Sequence, residues 1–241
     1  MAYNIIGLDI GSRNVRALLF ERNFRGYEVV EVREAAIPWA SDGEGPQENG
    51  VSIAVEQVVG DLNRGQSTFV SAYPLERASV WFFRMPFNDP KRIAQTVHFE
   101  VEDMVPFDLE EMLFSYRVQR NIGETADLMA ILAPRKEIAR RLEASQALDV
   151  NPVALLLDAH ALGNALPTKS AEPQAVLDVG HRRTLISGVR DGIVEHVQSV
   201  PGGGDIITHS LMDAWNLPFD IAEYLKHHRV LPPGYELDPA F

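Results

Sequence analysis

The sequence predicts an α/β protein of two similar lobes, with a small α+β subdomain inserted between them. Three features predict it. The N-terminal part reads as strand, strand, strand, helix, strand. The last third repeats the three-strand opening, and both copies end a strand in Asp-x-Gly, at Leu8-Asp9-Ile10-Gly11-Ser12 and Leu177-Asp178-Val179-Gly180-His181. Between them the composition changes at Pro74 and a separate run of elements intervenes.

Tyr3 to Ile10 is apolar and β-branched, Gly11-Ser12 breaks it, and Val15 to Glu21 resumes a strand pattern. Gly26 marks a turn before a third strand, Tyr27 to Arg33. Pro38 to Gly50 is a loop rich in Ser, Asp, Gly, Glu and Pro. Val51 to Leu62 places its apolar residues near the helical period, and Thr68 to Ala72 is again a strand. In the insert, Ser79 to Met85 predicts a strand, and Asn88 or Asp89 caps a helix whose first residue is Pro90 and which ends near Pro106. Two strands (Leu113 to Gln119, Leu128 to Ala133) and a helix (Pro134 to Leu148) follow. Val153 to Leu166 reads as one apolar helix whose Ala159 and Gly163, four apart, admit a second helix closely. In the last third, strands at Ala175 to Val179, Thr184 to Arg190 and Ile193 to Val200 are joined partly by Asp191-Gly192, a strong hairpin signal. Helices at Ile206 to Trp215 and Asp220 to His228 complete the regular structure. The expected division is 1–72 with 149–170 for the first lobe, 73–148 for the insert and 171–241 for the partial second lobe.

The chain has 241 residues, 46% hydrophobic and 23% charged, the composition of a folded globular protein and not of a disordered one. Its 22 Lys and Arg against 34 Asp and Glu leave a net charge of −12, which repels phosphate backbones and anionic lipid and suits a basic protein partner. Nucleic acid is therefore not an expected partner. Absent cysteine removes disulfides, thiolate catalysis and Cys-based zinc sites. The N-terminus lacks a basic n-region, Asp9 and Arg13 interrupt the apolar stretch, and Val153 to Leu166 is too short for a bilayer, so a soluble cytoplasmic chain is expected.

Glycine in each Asp-x-Gly lets a tight turn expose backbone N–H groups that can hold phosphate, and the aspartate sits where it can orient hydrated magnesium. Two such turns, facing each other, would clamp a nucleotide; the other reading is two ordinary hairpin turns. No HExxH pair, G-x-S-x-G elbow or Walker A string occurs, so no metal site or catalytic residue is assigned. Phe82, Phe83, Phe87, Phe99, Phe107 and Phe114 read as core, not as a stacking platform. Glu100, Glu102, Asp103, Asp108, Glu110 and Glu111 form an acidic run without a basic residue, read either as a solvated face paired with Arg140 and Arg141 or as a docking surface for a basic partner.

The turns resemble phosphate 1 and phosphate 2 of the actin-like (RNase H-like), sugar-kinase and Hsp70 superfamily. More narrowly, the chain is similar to the group of pilus assembly protein PilM, the PilM-like form of the type II secretion protein GspL, and the cell-division actin FtsA. The stretch from Arg84-Met85-Pro86-Phe87-Asn88-Asp89-Pro90 through Phe99-Glu100-Val101-Glu102 and Val105-Pro106-Phe107 to Tyr116 carries that likeness, with Gly203-Gly204-Asp205-Ile206-Ile207-Thr208 and Ala222-Glu223-Tyr224-Leu225-Lys226 in support. The resemblance implies a candidate ATP/magnesium cleft at Asp9, Gly11, Ser12, Asp178, Gly180, Thr184, Gly203, Gly204, Glu223 and Lys226, with Asp158 at a polar cleft position. It also implies further parts of an actin-like fold after the Glu223–Lys226 helix, so that the second lobe is incomplete, and, in GspL-like proteins, a membrane span and periplasmic domain; a domain of a longer protein is expected. Bulky Arg13-Asn14 and His181-Arg182-Arg183 stand after the glycines where nucleotide-binding relatives place small or hydroxyl residues, so ATP is not a required cofactor and no hydrolysis is expected. The implied function is a scaffold at the cytoplasmic face of the bacterial inner membrane, GspL-like. Its expected partners are the N-terminal domain of a GspE-like secretion ATPase, GspM- or GspF-like platform proteins and a second copy of itself. The alternative is a PilM-like pilus-assembly actin homologue that binds ATP.

Overall fold

The computed structural model describes residues 4–40, 45–60, 62, 67–166 and 172–235. Tyr3, parts of the 38–50 loop and the end of the chain lie outside them. Strands β1 (Asn4–Ile10), β2 (Asn14–Asn23) and β3 (Gly26–Ala36) form an antiparallel meander. To it β4 (Ser67–Tyr73) and β8 (Pro152–Leu157) add in the parallel sense, in the order β3-β2-β1-β4-β8. Alternation sends Ile6 and Leu8 of β1 and Val15 and Ala17 of β2 to one face, where Ala54, Val55, Val58 and Val59 of α1 (Gly50–Val59) bury them. Helical spacing marks Ala54, Val58 and Val59 for this contact, whereas Val51 and Ile53, apolar at the same period, face outward.

The insert holds β5 (Ser79–Met85), α2 (Pro90–Glu102), β6 (Met112–Ile122) and β7 (Thr125–Pro134), with sheet order β5-β7-β6. Pro90 opens α2, and the Asp89 carboxylate accepts from Arg92 N–H at 2.7 Å, the expected cap. Ile93, Val97 and Val101 of α2 pack on Met85, Leu128, Ala130 and Leu132, with Phe83, Phe87, Phe107 and Phe114 around them. Phe99 departs from expectation: it is 66% exposed. Helix α3 (Arg135–Gln146) leads back to β8.

The predicted single helix over Val153 to Leu166 is instead two elements, β8 and the short α4 (Asp158–Asn164). A short apolar run fits a parallel-sheet strand as well as a helix, and pairing with β4 decides between them. Gly163 does admit a close neighbour, but not a helix. A Cβ there would stand 2.4 Å from Val194 Cγ2 and 3.2 Å from Val189 Cγ2, side chains of the third sheet.

That sheet, β11-β10-β9, comprises β9 (Gln174–Val179), β10 (Arg183–Arg190) and β11 (Ile193–Pro201), followed by α5 (Gly204–Trp215) and α6 (Phe219–His228). Asp191 and Gly192 both adopt positive φ, 50° and 72°, as a type I′ hairpin requires. Among the described residues β9 pairs only with β10, whereas β1 pairs with β2 and β4. In consequence Leu177 is 64% exposed where its counterpart Leu8 is 3% exposed.

Candidate functional site

The repeat noted in the sequence is a repeat of geometry. Asp9 pairs with Arg16 and Ile10 with Val15; one constant offset carries these onto Asp178–Leu185 and Val179–Thr184. Gly11 N–H donates to Asn14 O at 3.0 Å, and Gly180 N–H donates to Arg183 O at 2.9 Å. At either glycine a Cβ would lie 3.0 Å from that same carbonyl, so both turns are tight enough to favour glycine. The turns are near each other. Burial chiefly raises the pKa of Asp9; the charge of Asp178 raises it further, while Arg16, Arg183 and Arg141 pull it down.

Side chains of the protein itself pack together beside these turns. Trp39, 8% exposed, donates its indole N–H to Ser12 O at 3.2 Å and stacks on Phe219 with ring centres 5.0 Å apart and planes 4° from parallel. The Arg13 guanidinium lies 5.5 Å from the Trp39 ring centre and 5.2 Å from that of Phe219; Arg182 lies 4.7 Å from Trp39. His181 meets Trp39 edge-on at 4.7 Å, and burial holds its pKa below the usual imidazole value. Thus Arg13, His181 and Arg182, the bulky residues that follow the two glycines, are committed to an aromatic cluster bridging first-lobe and last-third elements.

Thr184, Gly203, Gly204, Glu223 and Lys226, also implied for a nucleotide, are committed as well. The second turn accepts the start of α5: Gly204 N–H donates to Gly180 O at 2.9 Å and Asp205 N–H to His181 O at 2.8 Å. Gly203 is required for this approach, since a Cβ would stand 2.3 Å from Gly180 O. Thr184 Oγ1 donates to Gly202 O at 2.9 Å. Glu223, 6% exposed, accepts from both Thr208 and Lys226. Lys226 Nζ also donates to Thr208 Oγ1 at 2.9 Å and Gly204 O at 3.3 Å. Burial raises the Glu223 pKa, but those hydrogen bonds and the Lys226 charge outweigh it and leave the carboxyl below its ordinary value. Together these bonds tie α6 to α5 and α5 to the turn.

Asp158, the first residue of α4, sits at the join of the lobes. Its Oδ1 accepts from Leu75 N–H at 3.1 Å and Ala159 N–H at 2.6 Å, and its Oδ2 accepts from Arg183 Nη2 at 2.6 Å. Burial pushes its pKa up to about 6; the two backbone donors oppose that rise, and Asp9 and Asp178 add to it. The other arm of Arg183 pairs with Glu76. A cleft of about 790 Å³ lies beside this bridge, lined by Gly11, Ser12, Arg77, Arg140, Arg141, Arg182 and Arg183 over an apolar floor. Of the ten residues implied for a nucleotide, only Gly11 and Ser12 line it. Among the described residues no cluster of three or more His, Cys, Asp or Glu could hold a metal.

The six carboxylates of the acidic run are all exposed, and none of them forms an ion pair among the described residues. The expected pairing with Arg140 and Arg141 does not occur: Arg140 meets Glu137 at 3.5 Å, and Arg141 donates to Ala72 O at 3.1 Å. Trp39, Phe219, Glu76 and the bridging role of Arg183 were missed by sequence reasoning. Trp39 lay in an irregular loop, and nothing local distinguishes an arginine that crosses between lobes.

Two strand-turn-strand units closing on one cleft define the actin-like class. The fold agrees with two solved structures. The PilM-PilN type IV pilus biogenesis complex superposes with a TM-score of 0.77 at 19% identity, covering 93% of this chain and 69% of that one. The cytoplasmic domain of EpsL, an inner-membrane component of the type II secretion system of Vibrio cholerae, gives 0.54 at 13% identity, covering 97% and 79%. The chain belongs to the type IV pilus assembly protein PilM family, which it matches over residues 7–239. A stretch of 76 residues is 33% identical to cell division protein FtsA of Neisseria meningitidis serogroup B, spanning 31% of this chain and 18% of FtsA. The preference for a GspL-like over a PilM-like chain is not carried by the family match.

Proposed function

We propose that this chain is a scaffold domain of a pilus-assembly or type II secretion platform at the cytoplasmic face of the inner membrane, and does not turn over ATP. One observation carries the reading: groups around both phosphate turns are bonded to each other, through the Trp39–Phe219–His181 cluster and the Asp158–Arg183–Glu76 bridge. A nucleotide must displace them to reach both turns. The PilM family membership and the PilM-PilN and EpsL likenesses support a place among inner-membrane assembly proteins. The partner surface proposed is the unpaired acidic face of the insert, Glu100, Glu102, Asp103, Asp108, Glu110 and Glu111, facing a basic surface on the N-terminal domain of an assembly or secretion ATPase. GspM- or GspF-like proteins and a second copy are further partners of this reading. Among the described residues no helix is long and apolar enough to cross a membrane.

Calorimetry of the chain with that ATPase domain tests the proposal. Binding weakened by salt, and weakened further in a Glu100→Lys/Glu102→Lys/Asp103→Lys variant, is expected; no binding at tens of micromolar, roughly −6 kcal/mol, refutes it. A second reading, a PilM-like ATP-binding domain, draws on the identical register of the two glycine turns. Its mark is saturable magnesium-ATP binding lost in Asp9→Ala.

A further inference from the structure

Both turns send a cation across to the other lobe, Arg13 lying against Phe219 of α6, but among the described residues only the second turn's forms ion pairs there. In the first, Asn14 pairs with Glu34 of β3, a strand of its own sheet. Its counterpart Arg183, at the start of β10, leaves its sheet and reaches Asp158 at the head of α4, and Glu76 in the turn after β4. Arg183 is also sensed by Asp9, whose carboxyl it pulls down while Asp178 pushes it up. One guanidinium therefore stands among acids supplied by β1, α4 and the segment following β4. Its charge is half-buried, and burial holds its pKa below the ordinary arginine value. A planar fork that bonds two carboxylates at once fixes distance and angle between the groups it joins, which a point charge would not do.

We infer that Arg183 is an autoinhibitory latch: a tethered cation that joins the lobes and occupies the cleft where an anionic ligand with its own cation would otherwise enter. The lobes are thereby held together without a ligand. The chain keeps the backbone of two phosphate turns while denying a nucleotide the carboxylates beside them. This goes beyond the scaffold reading, because a latch implies that the cleft is shut and not destroyed.

The probe is magnesium-ATP, titrated calorimetrically into the whole chain. A cleft shut nine-tenths of the time or more lowers apparent affinity by about tenfold, so Arg183→Ala is expected to bind at least about tenfold more tightly than wild type. That gain is expected to vanish in Arg183→Ala/Asp9→Ala. Glu76→Ala, which leaves Arg183 tied to Asp158 alone, is expected to lie between, and it serves as the test should Arg183→Ala fail to fold by circular dichroism. Equal or weaker binding in Arg183→Ala overturns the latch, since the guanidinium is then idle or gripping phosphate. A gain that survives Asp9→Ala also overturns it, by placing the nucleotide elsewhere. Neither result touches capture of the ATPase domain, which reads the scaffold proposal separately.

Discussion

Asp158→Asn isolates a contest between two effects at the join of the lobes. Burial pushes the Asp158 carboxyl up to about 6 from an ordinary 3.8, while the Arg183 guanidinium at 2.6 Å favours the charged form. Asparagine keeps the Oδ1 acceptor for the Leu75 and Ala159 N–H groups and removes the titration. The folded pKa lies above the unfolded one, so the folded state holds the proton more tightly. The stability this contributes is fully present below pH 3.8 and lost as pH rises through 6. About two pKa units amount to about 3 kcal/mol between those limits. Wild type should therefore gain on Asp158→Asn by up to about 3 kcal/mol as pH falls from 7.5 toward 4. In urea melts this is a relative midpoint shift of about 1 M or more. Over the same interval Arg183 loses one of its two charged partners, Glu76 remaining, so the bridge loosens locally even as global stability rises. The measurement is a set of urea melts on both proteins at pH 7.5, 6.5, 5.5 and 4.5. Parallel curves would refute the reasoning. So would wild type losing ground as pH falls, because the ion pair would then have outweighed burial.

Two further substitutions probe the packing that surrounds the turns. Gly203→Ala would place a Cβ 2.3 Å from Gly180 O and 2.7 Å from His181 O, both backbone atoms that cannot swing aside. A loss of about 1–3 kcal/mol is expected, read as a lowered melting temperature, and an unchanged melt would contradict the docking of α5 on the second turn. Trp39→Ala removes the stack on Phe219 and the platform beneath Arg13 and Arg182. It should cost about 3–5 kcal/mol, the range for truncating a buried aromatic, and a loss below about 1 kcal/mol would show that the cluster does not join these elements.

Much of the secondary structure was legible because it rests on local chemistry. Asp191-Gly192 tolerates positive φ at both positions, so the β10–β11 hairpin could be read without knowing its neighbours. Asp89-Pro90 carries its own cap and its own preset φ. The twin Asp-x-Gly turns were legible for the same reason, and so was the pairing of the strands around each. Val153 to Leu166 was not, because the apolar run Val153 to Leu157 at its head suits a strand and a helix alike until β4 offers it an edge. Phe99 likewise looked like core, and the rotation of α2 on its sheet left it outside.

The site divides along the same line. Sequence alone determined which residues follow the two glycines, and that they are large and cationic where small ones suit a phosphate. It also determined the −12 charge and the acidic run. What those arginines hold was decided only by the tertiary structure. Arg13 and Arg182 lie against Trp39, and Arg183 spans from β10 to Asp158 and Glu76. The reason is range: a turn is set by the dihedral preferences of a few adjacent residues, whereas an ion pair between residues 76 and 183 exists only once two sheets have packed at one particular angle.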